Sequence, residues 1–252
     1  MEKSIKKFNL EYLHFDISKK KYNNRIFVVG TEKRGKTTLI KNILNSLNNT
    51  HPTIVVSQSN DYKGIIPDKY IFKSSDAFEL AFIRQQLIYS KNNEDKNLCF
   101  VMDDYLTRDH YNNRDVSEMI FNGICSGITT IFTIHPNEQI APEVRSQWDY
   151  FFIFSNENLD ILKKIWEKYI GASLCAYGIK KFEDFCKIYK FITEKYGVMV
   201  IRSSNYRRKN KLYYYKSYQI NFHQYNISYW LEEDNIEYSE DDNEKYDGYE
   251  IL

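Results

Sequence analysis

Short apolar runs alternate with segments in which apolar residues recur at helical spacing through the first two thirds of the chain. Runs that are apolar at consecutive positions predict buried strands, because a strand covered on both faces has no polar side. We expect strands at residues 25–30, 53–58, 97–104, 128–135 and 149–155. We expect helices at residues 36–47, 75–90 and 114–125. This alternation predicts an α/β fold in which helices cover both faces of a mostly parallel sheet.

The pattern changes after residue 156. Residues 159–170 and 180–196 have the apolar spacing of amphipathic helices. Residues 197–203 and 211–220 are predicted to pair as a β-hairpin, because a short charged segment joins two strand-like runs. No repeat and no linker separates these elements from the preceding ones.

Charge divides the chain into a basic body and an acidic tail. We predict one folded domain over residues 1–230, with its core at about 22–156 and a C-terminal extension of helices and hairpin at 157–230. Residues 231–252 carry ten acidic residues and one lysine, a formal charge of −9, in a chain whose total is +1. Residues 1–230 therefore carry +10. Such an acidic, polar segment cannot bury enough apolar surface to fold alone, so we expect a disordered tail.

Composition narrows the class of protein. Hydrophobic residues make up 42% and charged residues 27% of the chain, as in ordinary globular proteins. No run approaches the roughly 20 apolar residues that cross a bilayer, so we expect an intracellular protein without a membrane span. The four cysteines lie far apart and form no CxxC pair, which argues against a zinc site and a disulfide framework.

A phosphate-loop motif follows the first core strand. Gly30, Gly35, Lys36 and Thr37 match G-x-x-x-x-G-K-[ST], with a predicted strand before them and a predicted helix after them. Glycines let backbone N–H groups surround phosphates, the lysine reaches the β and γ oxygens, and the threonine hydroxyl binds Mg²⁺. A chance match in a lysine-rich chain is disfavoured by this strand and helix context. The residues expected to contact ATP are Gly30, Thr31, Glu32, Lys33, Arg34, Gly35, Lys36, Thr37 and Thr38.

Two aspartates at the end of a later apolar run supply the acidic partner of this loop. In the VMDD segment, Asp103 is expected to hold Mg²⁺ together with Thr37, and Asp104 to orient or deprotonate the attacking water. The alternative is a solvated pair of aspartates at a strand end. The upstream phosphate loop favours the functional interpretation.

Two further residues are predicted to act on the γ-phosphate. His135 ends the strand that follows the Asp-Asp segment, where a polar side chain can sense the γ-phosphate, and the alternative is a residue that only ends the strand before Pro136. Arg145 precedes the last core strand and is expected to reach a neighbouring subunit's site as an arginine finger. The alternative for Arg145 is a surface ion pair.

The predicted hairpin is rich in basic and aromatic residues. IRSSNYRRKNKLYYYKSYQI contains six Lys or Arg residues among five tyrosines. Arg207, Arg208, Lys209 and Lys211 are therefore expected to contact the phosphates of DNA without regard to sequence. The alternative is a solvated edge hairpin whose charges prevent pairing with other strands.

The three motifs together resemble one family. GTEKRGKTTL, FVMDDY and GITTIFTIHPNEQIAPEVRSQWDYFFIFSNEN are similar to the poxvirus-type DNA-packaging ATPases of large eukaryotic DNA viruses and virophages, in the FtsK/HerA superfamily of P-loop NTPases. Arg145, Ser146, Asp149 and Tyr150 occupy the places of the family's last motif. Two departures stand out, because His135 replaces the usual glutamine sensor and Ile124-Cys125 replaces an Arg-His pair.

The resemblance implies a RecA-like ATPase of the additional-strand class, in which an extra strand separates the two motif-bearing strands. It also implies ATP hydrolysis with Mg²⁺, a homo-oligomeric ring of five or six subunits, and double-stranded DNA as the transported substrate. Capsid or portal-vertex proteins are further expected partners, and the viral factory in the host cytoplasm or the virion is the expected location. The alternative function is a nucleotide-dependent assembly or regulatory switch without DNA translocation.

Overall fold

The computed structural model describes the greater part of the predicted core and C-terminal extension. The described residues are 11–12, 23–47, 51–74, 82, 85–86, 97–105, 114–138, 142–170, 174–175, 179–202 and 211–217. The predicted acidic tail, the turn of the predicted hairpin and most of the predicted helix at 75–90 lie outside them. The described part contains no helix long and apolar enough to span a membrane.

A nine-stranded sheet forms the centre of the molecule. Its strands are β1 (Glu11–Tyr12), β2 (Arg25–Val29), β3 (Thr53–Ser57), β4 (Ile71–Phe72), β5 (Leu98–Asp103), β6 (Ile128–Ile134), β7 (Tyr150–Ile153), β8 (Gly197–Arg202) and β9 (Lys211–Lys216). They are arranged in the order β1-β9-β8-β7-β2-β6-β5-β3-β4. Every predicted strand is present, with ends that differ by a few residues. The two-residue strands β1 and β4 were not predicted, because they are too short to produce a hydrophobic pattern.

The sheet is parallel in its core and antiparallel in its C-terminal extension. Strands β4, β3, β5, β6, β2 and β7 pair in parallel, whereas β8 pairs antiparallel with both β7 and β9. The predicted β-hairpin strands are therefore confirmed. Strand β6 lies between β2 and β5, so the predicted additional strand between the two motif-bearing strands is also confirmed.

Among the described residues, the α-helices with defined bounds are α1 (Lys36–Leu47), α2 (Arg114–Asn122), α3 (Pro142–Ser146), α4 (Leu159–Ile165) and α5 (Phe182–Ile192). Three predicted helices are shorter than expected because their last turns change type. Helix α2 continues as a 3₁₀ turn that ends at Gly127, whose φ of 74° suits glycine. Helix α4 continues as a π-helical turn, and α5 is followed by a short 3₁₀ segment at Glu194–Tyr196. Phe82, Gln85 and Gln86 are helical, within the predicted helix at 75–90.

Burial explains why the core strands are mainly apolar. Every residue of β2, β3, β5, β6 and β7 is buried. Helix α1 buries an apolar stripe, Leu39, Ile40, Ile43, Leu44 and Leu47, and the hydroxyl of Tyr215 on β9 donates to Asn42 Oδ1 at 3.2 Å. Because parallel strands end at the same edge of a sheet, the residues that follow β2, β5 and β6 lie side by side.

Candidate functional site

The phosphate loop connects β2 to α1 and depends on its two glycines. Gly30 donates its N–H to the carbonyl of Ile134 on β6 at 3.1 Å, and a Cβ at this position would lie 3.1 Å from Cβ of Phe154. Gly35 has a φ of 97°, which other residues rarely adopt. The Gly35 carbonyl then accepts from Leu39 N at 3.0 Å, a hydrogen bond of the first turn of α1. The loop is thus fixed to the neighbouring strand, with a helix N-terminus beside it.

Lys36 joins the phosphate loop to the end of β5. Its side chain is 4% exposed, and Nζ lies 3.0 Å from Oδ1 of Asp104. Nζ also donates to the carbonyl of Thr31 at 3.2 Å. The Asp104 side chain is 56% exposed, so this carboxylate borders solvent while its cationic partner is buried. A buried ammonium beside an open cavity is suited to bind phosphate oxygens.

Thr37 and Asp103 form the second contact between the two motifs. The Thr37 hydroxyl donates to Oδ2 of Asp103 at 2.9 Å, and Asp103 is 2% exposed. Burial raises the pKa of the Asp103 carboxyl, against the opposing effect of its hydrogen bonds from Tyr62 and Thr37. The second carboxylate oxygen, Oδ1, is buried and has no hydrogen-bond partner among the described residues.

These two residues fit a magnesium ion. A hydroxyl beside a carboxylate with one unused oxygen is the donor set that a nucleotide-bound Mg²⁺ requires, directly or through water. The described residues contain no cluster of three or more histidine, cysteine or acidic side chains that would hold a metal alone.

Tyr62 is a site residue that the sequence did not predict. It lies in the loop after β3, is fully buried, and its hydroxyl donates to Oδ2 of Asp103 at 2.7 Å. Burial, followed by the Asp103 charge, raises the pKa of the Tyr62 phenol far above its usual value. Because β3 pairs with β5, the loop after β3 reaches the end of β5. No local signal identifies this residue among 22 tyrosines.

Thr133 on β6 was also missed. Its Oγ1 accepts the Asp104 N–H at 2.6 Å and lies 3.4 Å from Oδ1 of the same residue, to which it can donate. Asp104 has a φ of 50°, a left-handed conformation that aspartate tolerates better than most residues. The additional strand therefore holds Asp104 in place through a threonine within an apolar run.

Neither of the two predicted γ-phosphate residues takes part in the described lysine and aspartate contacts. His135 follows β6 directly, its side chain is exposed, and Nδ1 accepts the Asn137 N–H at 3.4 Å. It is not among the described residues that line the phosphate-loop cavity. Arg145 lies in α3, and its side chain is outside the described part. The sensor and finger roles stay predictions.

Asp149, from the last motif, connects β7 to β2. Its Oδ2 accepts the Arg25 N–H at 2.9 Å and lies 3.6 Å from Arg25 Nε, while its own N–H donates to the Arg25 carbonyl at 2.9 Å. The adjacent Trp148 is fully buried and stacks on Phe27 of β2. These contacts fix the strand that carries the phosphate loop, so the Asp-Tyr part of the motif has a structural role.

A cavity of about 540 Å³ opens beside the phosphate loop. It is lined by residues 33–38 and by Asp104, Phe154, Tyr196 and Ser217. Its volume lies within the range of small-molecule sites, roughly 300–1,000 Å³. Of the predicted DNA-binding residues, Arg207, Arg208 and Lys209 are outside the described part, and Lys211 begins β9 with its side chain not described.

Comparisons with known proteins agree with this geometry. No protein-family model matches the chain. It is 26% identical over 205 residues to the uncharacterized protein 088R of invertebrate iridescent virus 3, covering 77% of this chain and 76% of that protein. It is 21% identical over 225 residues to the uncharacterized protein L437 of Acanthamoeba polyphaga mimivirus, covering 82% of this chain and 77% of that protein.

Solved structures are similar over the same region. The genome packaging NTPase B204 from Sulfolobus turreted icosahedral virus 2, in complex with AMPPCP, superposes with a TM-score of 0.53 and 15% identity, over 76% of this chain and 97% of B204. The ATP-gammaS complex of the same protein superposes with a TM-score of 0.51 and 17% identity, over 76% of this chain and 96% of B204. The fold is that of a P-loop NTPase. The fold class predicted from the sequence is therefore confirmed.

Proposed function

We propose that this protein is an ATP-hydrolysing motor that translocates double-stranded DNA, and that it packages a viral genome into the capsid. The observation that carries the ATPase is the pair of contacts across the sheet edge, Lys36 with Asp104 and Thr37 with Asp103. Support for packaging comes from the three sequence motifs and from the fold shared with B204, a genome packaging NTPase.

Different residues of this chain are assigned to phosphate binding, metal binding and activation of water. Lys36 and the N–H groups of residues 30–38 bind the β- and γ-phosphates, and Lys36 neutralises charge that develops on the leaving oxygens. When bound through Thr37 and Asp103, Mg²⁺ supplies charge neutralisation at the phosphate oxygens. Asp104, held by Thr133 at the cavity edge, orients the attacking water and accepts its proton.

The remaining parts of the proposal concern the γ-phosphate sensor, the subunit contacts, the DNA contacts and the location of the protein. His135 senses the γ-phosphate and Arg145 reaches the neighbouring subunit's site, in a homo-oligomeric ring of five or six copies. Arg207, Arg208, Lys209 and Lys211 contact the DNA backbone, and the ring docks on capsid or portal-vertex proteins. The protein acts in the viral factory of the host cytoplasm or on the virion, in keeping with its similarity to proteins of large DNA viruses.

Steady-state ATP turnover, measured with and without long duplex DNA, tests this function. Lys36→Ala is expected to lower turnover at least about 100-fold, because the main cation of the phosphate site is lost. Lys187→Ala is the matched control, since Lys187 is an exposed lysine whose only described ion pair is a weak one with Asp184 at 3.9 Å. DNA is expected to stimulate the wild type and the control.

Two results separate the motor from its rivals. ATP binding without turnover on any DNA would identify the nucleotide-dependent assembly switch instead. Turnover that survives Lys36→Ala would contradict the ATPase assignment itself, because the measured activity would arise from another site or a contaminant.

A further inference from the structure

The nucleotide cavity extends past the phosphate loop to the C-terminal extension. Tyr196 and Ser217 line the same cavity as residues 33–38. Tyr196 precedes β8 and Ser217 follows β9, so the antiparallel pair of strands brings both residues to one end of the sheet. The phosphate, magnesium and water roles use neither residue.

Tyr196 presents an aromatic ring from a turn with an unusual backbone. Lys195 and Tyr196 have φ angles of 52° and 63°, two consecutive left-handed residues that are not glycine. The next residue, Gly197, is restricted, because a Cβ there would lie 1.9 Å from the carbonyl oxygen of Ile192. Packing therefore fixes the turn, yet the Tyr196 side chain is left 74% exposed. A large aromatic residue held in a strained turn beside a cavity is often functional.

Ser217 provides a polar group on the same wall. Its Oγ is buried and has no hydrogen-bond partner among the described residues. A buried hydroxyl without a partner is costly, and a ligand hydroxyl or ring nitrogen would satisfy it. Phe154, 2% exposed, adds an apolar side chain to the lining of the same cavity, beside Gly30 and Gly35.

We infer that Tyr196 and Ser217 form the nucleoside subsite, where Tyr196 stacks on the base and Ser217 hydrogen-bonds to the ribose or the base edge. The inference rests on the proposed ATPase function and adds the part of the ligand that the phosphate motif does not recognise. Base stacking on an aromatic ring is tolerant of base identity, whereas the Ser217 hydroxyl adds a directional contact. The C-terminal extension is thus part of the nucleotide site.

A neighbouring cavity of about 810 Å³ also has Tyr196 in its wall, together with Glu157, Leu159 and Lys190. This second cavity shares Lys33 and Arg34 with the phosphate-loop cavity, but it contains neither Lys36 nor Ser217. The phosphate-loop cavity is therefore the one that can hold base and phosphates together.

Calorimetric titration of the full chain with Mg²⁺ and two ligands tests the subsite. The ligands are the ATP analogue AMPPCP and inorganic triphosphate, which lacks base and ribose. Tyr196→Asn removes the ring while keeping a residue that tolerates positive φ, and it is expected to weaken AMPPCP binding by roughly 5- to 100-fold. Ser217→Ala is expected to weaken it by about 2- to 10-fold. Triphosphate binding is expected to be unchanged in both variants.

Two controls accompany these variants. Tyr196→Phe keeps the ring and is expected to bind AMPPCP like the wild type. Phe191→Ala removes another exposed aromatic residue, 42% exposed on α5 and absent from the walls of both cavities, and is expected to change neither affinity.

The possible failures are distinguishable. Equal loss of both ligands in Tyr196→Asn, or no loss of either, would overturn the nucleoside subsite. Equal affinity of the wild type for AMPPCP and triphosphate would also overturn it while leaving the phosphate site intact. A wild-type chain that binds neither ligand would overturn the proposed function, and the subsite with it.

Discussion

The two walls of the nucleotide cavity are built in different ways. The phosphate wall comes from residues that follow parallel strands β2 and β5, and it holds the buried Lys36 and Asp104. The second wall comes from the antiparallel extension and holds an exposed tyrosine and a serine. Phosphate chemistry constrains the first wall to a few residue types, whereas stacking and a single hydrogen bond constrain the second only loosely. The first wall therefore carries a motif and the second does not.

The largest expected effect is a loss of ATP turnover, caused by a substitution in the phosphate wall. Asp104→Asn keeps the shape of the residue but removes the base, so turnover is expected to fall by about 10²- to 10⁴-fold. AMPPCP affinity is expected to stay close to that of the wild type, because the phosphates are bound by Lys36 and backbone N–H groups. Single-turnover kinetics and calorimetry would measure the two quantities.

Asp160→Asn is the matched control for that experiment, since Asp160 is exposed in the first turn of α4 and lines neither cavity. It is expected to retain full turnover. If Asp104→Asn hydrolysed ATP at the wild-type rate, Asp104 would have no role in the reaction. It would then serve only as the ion-pair partner of Lys36.

The next largest expected effect is a loss of protein stability. It tests whether Asp149, in the last of the three sequence motifs, has a structural role. Asp149→Ala leaves the buried Arg25 without its carboxylate partner, so the free energy of unfolding is expected to fall by about 2 kcal/mol. Urea denaturation of the purified chain would measure the loss. AMPPCP affinity per folded molecule is expected to be unchanged.

Asp184→Ala provides the control, because Asp184 is 51% exposed and its described ion pair is a weak surface contact. It is expected to leave the urea midpoint nearly unchanged. Equal urea midpoints for Asp149→Ala and Asp184→Ala would contradict a structural role for Asp149. A functional role would then be the better explanation for Asp149.

A smaller effect is expected at Tyr62, which supports the magnesium ligand. Tyr62→Phe removes one of the two donors to Asp103 Oδ2, so the carboxylate is held less firmly and its pKa rises further. The Mg²⁺ concentration for half-maximal turnover is expected to increase about 10-fold, and the acidic limb of the pH profile to move to higher pH.

Tyr215→Phe is the control, because it removes a buried tyrosine hydroxyl that donates to Asn42 and not to a carboxylate. It is expected to leave the Mg²⁺ dependence unchanged. The same shift in both variants would mean that loss of a buried hydroxyl, and not support of Asp103, causes the effect.

The contrast between the walls also explains what the sequence could and could not predict. Gly30, Gly35, Lys36 and Thr37 lie within eight residues, because one turn surrounds the phosphates, and such a spacing is visible in a single sequence. Asp103 is visible because it ends an apolar strand. The β-strands and the additional strand were predicted for the same reason, since each is a continuous buried run.

The residues that were missed meet only through the sheet. Tyr62 is 41 positions from Asp103, and Thr133 is 29 positions from Asp104. A lone tyrosine in a loop, a threonine within an apolar strand and a serine after a strand have no local signature. Helix ends were also missed, because the 3₁₀ and π turns after α2 and α4 depend on tertiary packing and not on the apolar spacing.

The smallest expected effect concerns acid sensitivity, at a buried histidine that lines neither wall of the cavity. His51, between α1 and β3, is 7% exposed, and burial lowers its pKa from 6.5 to about 4. The unfolded chain therefore binds a proton between these values and the folded chain does not, so this group's contribution to stability is full above pH 6.5 and is lost as the pH falls toward 4.

Between pH 7 and pH 5.5, His51 is expected to cost the folded state about 1 kcal/mol, because each unit below its unfolded pKa contributes about 1.4 kcal/mol. His51→Gln should remove this part of the pH dependence, whatever its effect on stability at pH 7. Urea denaturation at both pH values would measure the difference, with the exposed His135→Gln as the matched variant that keeps the wild-type slope. If the wild type and His51→Gln lost the same stability on acidification, the buried neutral histidine would not be the cause, and acid sensitivity would have to come from other titratable groups.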